Sequence, residues 1–262
     1  MSQSSSFPSR ATPLRPRRRA IIVGASGGIG AALARRLARE GYTLALLARR
    51  ADVLKTLCKE INREAGETRA LPYTHDVTDY SSVPSLLQKI LADLGGLDLF
   101  IYSAGVSLPP GLKKYDFEKD RRTMEVNVLG ALVWLNPVAA MFQNLGAGQI
   151  VGISSVAGER GRVGNPAYNA SKAALTCHLE ALRNRLTRHG VNVLTAKPGL
   201  VNTGMLKDAK KVFWVISAEQ AAKEICRAIR KRKQEVYAPA RWRWLMLVVR
   251  NIPSVIFRRL IF

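Results

Sequence analysis

Short apolar runs alternate with stretches of helical period from Arg19 to Tyr237, and this alternation restricts the fold of the 262-residue chain more than any other feature. The runs read as strands at Ala20–Val23, Leu44–Leu47, Ala70–Tyr73, Leu97–Tyr102, Gln149–Ile153 and Val191–Ala196, with a short last strand at Glu235–Tyr237. Ile29, Leu33 and Leu37 recur at helical spacing and stop near Gly41. Further helices are expected at Asp52–Ala65, closed by Gly66, at Val83–Leu94, ended by Gly95-Gly96, and at Thr123–Phe142, with a kink at Pro137. Two more follow at Ala167–His189 and Ala218–Lys231. Near-continuous apolar strands joined by helices call for a parallel sheet covered on both faces.

The junction of the first strand and first helix holds Gly24-Ala25-Ser26-Gly27-Gly28-Ile29-Gly30. A dinucleotide pyrophosphate needs backbone N–H groups it can approach closely, at the positive end of a helix, and glycines allow both the turn and the approach. The expected fold class is therefore α/β: a Rossmann-type doubly wound parallel sheet in three layers (α/β/α), one domain over 19–238. Residues 1–18 form a basic arm and 239–262 a basic apolar tail, a C-terminal amphipathic extension. The end of the second strand bears on the cofactor. NAD sites place an acid there for the ribose hydroxyls. This chain instead has Arg49-Arg50 and no acid before Asp52, and a guanidinium suits a 2′-phosphate. NADP(H) is favoured over NAD(H).

Tyr168-Asn-Ala-Ser171-Lys172 opens the long helix after the fifth strand, and its YxxxK spacing puts tyrosine and lysine one turn apart on one face. A phenol titrating near 10 is a poor acid at neutral pH, and a nearby ammonium is expected to lower its pKa. Ser155, thirteen residues before Tyr168 and just past the fifth strand, lies where ligands gather in such sheets and can hydrogen-bond a substrate oxygen. Spacing, serine, glycine turn and the helical Asn127 together leave little room for coincidence.

On these motifs the chain resembles the short-chain dehydrogenase/reductase superfamily, in its compact single-domain branch, over about residues 19–238. The resemblance implies a tetrad of Asn127, Ser155, Tyr168 and Lys172, with Asn127 holding a water that connects Lys172 to solvent. It implies cofactor contacts at Gly24, Ser26, Gly28, Ile29, Gly30, Arg49, Arg50, Asp76, Val77, Ala104, Gly105, Tyr168, Lys172, Pro198, Gly199 and Thr203. Asp76 would take the adenine amino group and Thr203, in the PGxxxT-like segment, the carboxamide. Family members are commonly dimers or tetramers, so a homodimer or homotetramer is expected. One departure stands out: Tyr102-Ser103-Ala104-Gly105 replaces the family's Asn-Asn-Ala-Gly, keeping the small pair but losing the asparagine contacts of that turn.

The charge is uneven. Lys+Arg number 41 against 19 Asp+Glu, a net +22. Residues 1–20 contribute five arginines and no acid, and 207–262 fourteen bases and four acids, leaving +7 for the middle. Such a field favours anionic partners. The first stretch, rich in Ser and Arg with Pro8, Pro13 and Pro16, has no secretory apolar run. It reads as a disordered arm, with a transit peptide or an overlong start as alternatives. Cys58, Cys177 and Cys226 are scattered, which argues against a disulfide framework, against a metal site and for a reducing compartment.

Substrate-side expectations rest on two segments. Gly204–Ser217, with Val212, Phe213, Trp214, Val215 and Ile216, is the expected lid. Arg241–Phe262 has uncharged runs too short to cross a bilayer, while Trp242 and Trp244 beside arginines fit a segment lying among anionic headgroups. The alternative is a tail that caps the substrate pocket or a dimer interface. The whole implies an NADP(H)-dependent oxidoreductase interconverting a carbonyl and a secondary alcohol on a small hydrophobic, lipid-like substrate such as a long-chain 3-keto compound. In this it resembles the ketosphinganine-reductase-like and membrane-associated reductases of the superfamily. The expected location is cytoplasmic, peripheral on a membrane face. A membrane-associated or nucleic-acid-binding scaffold retaining a structural dinucleotide is the competing reading, though no specific nucleic-acid motif supports it.

Overall fold

The computed structural model describes residues 18–204 and 214–260. The chain runs β1 (Arg18–Val23), α1 (Gly28–Arg39), β2 (Tyr42–Ala48), α2 (Ala51–Ala65), β3 (Ala70–Thr74), α3 (Val83–Leu94) and β4 (Leu99–Tyr102). It continues through α4 (Phe117–Met124), a π turn (Glu125–Leu129), α5 (Gly130–Leu145), β5 (Gln149–Ile153), a 3-10 turn (Val156–Gly158) and α6 (Pro166–Leu186). A second 3-10 turn (Thr187–His189) leads to β6 (Asn192–Pro198), β7 (Val201–Asn202), β8 (Ile216–Ser217), α7 (Ala218–Arg230), β9 (Glu235–Ala238), α8 (Trp242–Asn251) and α9 (Ser254–Phe257).

Seven strands form one parallel sheet in the order β3-β2-β1-β4-β5-β6-β9, and β7 and β8 pair separately. The reversal between β1 and β4 is the switch point where such sheets open a crevice beyond the carboxyl ends of their strands. Strand residues face alternate sides. Ala20 and Ile22 of β1 join the core under α1, α2 and α7, while Ile21 and Val23 join the core under α3, α5 and α6. Both faces being covered explains why the strands read as unbroken apolar runs. Full burial of each Ile, Leu or Phe contributes roughly 1.5–3 kcal/mol, and Ile21, Ile22, Leu44, Leu46, Leu47 and Phe100 are all 0% exposed.

Among the differences from the sequence reading, three bear on the fold. Arg18, assigned there to the basic arm, is the first residue of β1 and pairs with Tyr42; the rest of the arm, 1–17, lies outside the described residues. The helix expected from Thr123 begins at Phe117, where the Asp116 side chain accepts from the Lys119 N–H at 3.1 Å. A π turn interrupts it at Glu125–Leu129, and Pro137 sits within α5. The run Phe117–Leu145, 29 residues, is the one described helix long and apolar enough to cross a membrane. Here it is packed in the domain, with Trp134, Leu135, Val138 and Phe142 all 0% exposed.

Candidate active site

A cleft of about 1430 Å³ opens at the switch point, larger than an ordinary ligand pocket of roughly 300–1,000 Å³ and so able to take a dinucleotide together with a substrate. All the cofactor positions expected from sequence except Gly30 line it: Gly24, Ser26, Gly28, Ile29, Arg49, Arg50, Asp76, Val77, Ala104, Gly105, Tyr168, Lys172, Pro198, Gly199 and Thr203. Gly30 serves packing instead: a Cβ there would run into the Gly24 carbonyl. Gly24 has φ 91°, and a Cβ on it would overlap the backbone of Ser103 and Ala104, so β1 and β4 close only around a glycine. Behind the turn, α1 starts with no side chain capping its first N–H groups. An uncapped helix start on a glycine turn fits a pyrophosphate, and the residues present fit a dinucleotide.

The two arginines differ. The Arg50 guanidinium donates to the Ser26 carbonyl (2.9 Å) and hydroxyl (3.1 Å), tying β2 to the glycine turn. Arg49 reaches Asp76 only at 3.8 Å and keeps over half its side-chain area exposed at the cleft. Asp76 is held by Thr78, whose N–H and hydroxyl donate to it at 3.0 and 2.9 Å, and by Arg122 at 3.2 Å. Burial raises its pKa, and these contacts outweigh burial and keep it below the ordinary carboxylate value.

The tetrad positions converge from three elements, with Tyr168 and Lys172 one turn apart on α6. Asn127 lies on the π turn, 0% exposed. Its Nδ2 donates to the Val106 carbonyl (3.0 Å) and Ser171 hydroxyl (2.9 Å), and its Oδ1 accepts from the Val106 N–H (2.8 Å). Lys172 Nζ donates to the Ile153 carbonyl at 2.9 Å. A Cβ on Gly105 would stand 3.3 Å from Asn127 Oδ1 and 3.4 Å from Lys172 Nζ, so the turn after β4 closes against these two side chains. Ser155 Oγ accepts from the Ala157 N–H at 3.1 Å and starts the 3-10 turn.

The electrostatics differ from the sequence reading in one respect. Burial raises the Tyr168 phenol above 10, and the influences opposing it come from the Ser155 hydroxyl and the Arg162 charge. Lys172 Nζ stands 5.8 Å from the ring centroid, and burial brings its own pKa down to about 8. Desolvation of both groups is why the pair does not yield a depressed phenol.

Several contributors carried no motif. Tyr102, the residue that departs from the family's turn, is 0% exposed, and its hydroxyl donates to the Val126 carbonyl at 2.7 Å. It braces the π turn one residue before Asn127. Ser154 donates to the Lys172 carbonyl at 2.9 Å, and Ser171 to the Tyr168 carbonyl at 2.8 Å.

The tail forms one wall of the cleft. Trp242, Leu245, Met246, Val248 and Val249 of α8 line it together with Ile252, and Trp242, Met246 and Val249 pack with Val156 and Tyr237. Arg160 clamps the end of α8, donating to the carbonyls of Arg250 (2.7 Å), Ile252 (2.8 Å) and Val249 (3.2 Å), and lies over the Phe257 ring. Next to it, Glu159 pairs with Lys197 at 2.8 Å, both nearly buried, and with Arg250 at 3.4 Å. The sequence signal was only an acid–base dipeptide four residues past Ser155. Of the expected lid, 205–213 with Val212 and Phe213 lie outside the described residues. Trp214 meets Trp242 edge to face at 5.7 Å, and Ile216 is a buried strand residue. The three cysteines are free, Cys58 and Cys226 buried. Among the described residues no cluster of metal-ligating side chains occurs.

A doubly wound sheet with this cradle and this Asn–Ser–Tyr–Lys convergence defines an oxidoreductase fold of the dinucleotide-binding kind. The short chain dehydrogenase family model matches residues 18–212, and the chain belongs to that family. It is 31% identical over 233 residues to an uncharacterised oxidoreductase of Mycobacterium tuberculosis, covering 88% of this chain and 92% of the relative. Identity to the ketoacyl reductase HetN of a Nostoc species is 30% over 221 residues, 82% of this chain and 76% of that one. A short-chain dehydrogenase from Sphingobium yanoikuyae, solved in complex with NADPH, superposes with TM-score 0.78 at 25% identity, covering 90% and 97% of the two chains.

Proposed function

We propose that this protein is an NADP(H)-dependent oxidoreductase interconverting a carbonyl and a secondary alcohol on a hydrophobic, lipid-like substrate. The observation that carries the reading is the meeting, in one cleft, of Ser155, Tyr168 and Lys172 with the apolar wall of α8. Solved relatives with NADPH or an NADP derivative support the cofactor, as does Arg49, only loosely paired and more than half exposed at the cleft, where a 2′-phosphate would suit it. Bound there, the nicotinamide supplies or accepts hydride. Tyr168 gives its proton to the carbonyl oxygen, Ser155 steadies that oxygen as charge develops, and Lys172 holds the ribose hydroxyls and supports the phenol. Asn127 positions Ser171 and the Val106 backbone, and with them the first turn of α6. The family's habit extends the reading to a homodimer or homotetramer, read by light scattering on the eluting protein. The test of activity is NADPH oxidation with 2-alkanones of increasing length. A rise in kcat/KM with chain length is expected, and turnover of short polar ketones alone would sink the reading.

The outward side of the tail supports a membrane-surface setting. Trp244, Val255 and Ile256 are more than half exposed, with Leu247 and Leu260 partly so, among Arg243, Arg250, Arg258 and Arg259. Apolar side chains beside arginines suit an anionic headgroup layer. Deleting the tail would remove the cleft wall, so the test is Trp244→Gln with Ile256→Asn. Sedimentation with phosphatidylglycerol vesicles should fall several-fold while ketone reduction in solution persists. Unchanged sedimentation would remove the membrane from the proposal.

A further inference from the structure

Arg162 is the cleft residue that neither the motifs nor the packing explain. It lies on the loop between the Val156–Gly158 turn and α6, lines the cleft with Ser155 and Tyr168, and is partly buried. Its Nε is shut off from solvent with no hydrogen-bond partner among the described residues. Burial lowers its pKa, and its charge opposes the rise of the Tyr168 phenol, which lines the same cleft. No described carboxylate answers it. Asp76, engaged by Thr78 and Arg122, is the one acid among the lining residues. Glu159, three residues away, is turned to Lys197 and Arg250.

Arg160, two residues earlier, shows what a structural arginine looks like in this loop, with three carbonyl acceptors and a ring beneath it. Arg162 has none of these. A sheltered guanidinium donor left unanswered is destabilising unless a ligand brings the acceptor. The ligand that fits has an apolar body for Leu245, Met246 and Val249, and a strong acceptor within a carbon or two of the carbonyl facing Tyr168.

We propose that Arg162 is a specificity residue that binds the C1 oxygens of a 3-oxo acyl substrate, carboxylate or ester, while its C3 carbonyl faces Ser155 and Tyr168. This rests on the reductase reading above and adds the chemistry of the group beside the reacting carbon. In the step itself, hydride from the reduced cofactor goes to C3 and the Tyr168 proton to its oxygen. The C1 group keeps its bonds and is held by Arg162.

The test uses the full chain with NADPH and three substrates that share one alkyl tail on the reacting carbonyl: 3-oxododecanoate, its ethyl ester, and 2-undecanone, which lacks C1. Arg162→Gln is expected to lose roughly 10- to 100-fold in kcat/KM for the acid and ester, while 2-undecanone stays within about threefold. Arg162→Lys should recover part of the loss. Equal losses on all three substrates, or none, would overturn the assignment. A binding measurement separates this from failure of the reductase reading. Dodecanoate should quench tryptophan fluorescence of the NADPH-loaded protein and bind about tenfold more weakly to Arg162→Gln, while 1-dodecanol binds both alike. If the wild type reduces none of the three yet dodecanoate binding depends on Arg162, the reductase reading falls and the anion site stands. If dodecanoate binding ignores the substitution, the site falls.

Discussion

The indole of Trp242 rests on Gly199, so close that a Cβ at position 199 would overlap the ring. The Pro198-Gly199 turn, expected to serve the cofactor, is thus also the seat of the tail helix. Gly199→Ala should displace the ring and destabilise the protein by about 1–3 kcal/mol, and Trp242→Ala by about 3–5 kcal/mol. The informative quantity is the cycle. With Trp242 already removed, Gly199→Ala should be much milder, and additive losses in denaturant titration would contradict the contact.

Tyr168→Phe keeps the ring and removes the proton. A fall in kcat of about 10²–10⁴ is expected, with the dissociation constant for NADPH and the melting temperature little changed. A drop in turnover explained wholly by lost cofactor affinity would mean the hydroxyl is not the acid.

The pH dependence should follow Lys172. Its folded-state pKa is about 8, lowered by burial from 10.5, whereas Tyr168 is raised by burial against Ser155 and Arg162 and holds its proton longer. Carbonyl reduction needs phenol protonated and ammonium charged, so kcat/KM for NADPH, which reports the free enzyme, should fall as pH rises through about 8. Lys172→Arg should move that limb upward. Stability runs the other way. Between the folded and unfolded values the unfolded chain binds more protons, so the penalty of burying the ammonium is full below pH about 8 and fades toward pH 10.5. Lys172→Met should lack that rise.

Arg49 and Arg50 should separate in cofactor kinetics. Arg49→Ala is expected to raise KM for NADPH roughly tenfold and leave NADH nearly untouched. Arg50→Ala loosens the bond to Ser26 and should weaken both cofactors. Comparable loss with NADH in Arg49→Ala would remove that residue from 2′-phosphate recognition.

Much of this was legible from residues alone. α3 and β5 fall on their expected boundaries because glycines and apolar runs punctuate them locally. YxxxK and the glycine turn are local patterns as well, with their chemistry written in the spacing. The π turn at Asn127 was not legible, since one extra residue in a turn barely shifts a 3.6-residue period. The bond from Tyr102 to Val126 spans 24 positions, and nothing near either residue announces it. The tail shows the same limit. Its amphipathic pattern called for a cover over the apolar side, but only tertiary packing shows that one side faces the cleft and the other looks out. Arg162 escaped notice because a single arginine in a chain of 41 basic residues carries no signal until its missing partner is seen.

The wall built by α8 makes the protein divisible along a line that evolution can use. The side that carries Asn127, Tyr168 and Lys172 is locked from within, Asn127 to Ser171, Lys172 to Ile153, Tyr102 to Val126. The facing side is held from outside, by the Gly199 seat, the Arg160 clamp, the packing of Met246 and Val249 with Val156 and Tyr237, and the Arg250–Glu159 pair. A descendant could exchange the outer helix for one of different bulk or polarity and acquire a new menu of substrates, while inheriting its chemistry unaltered.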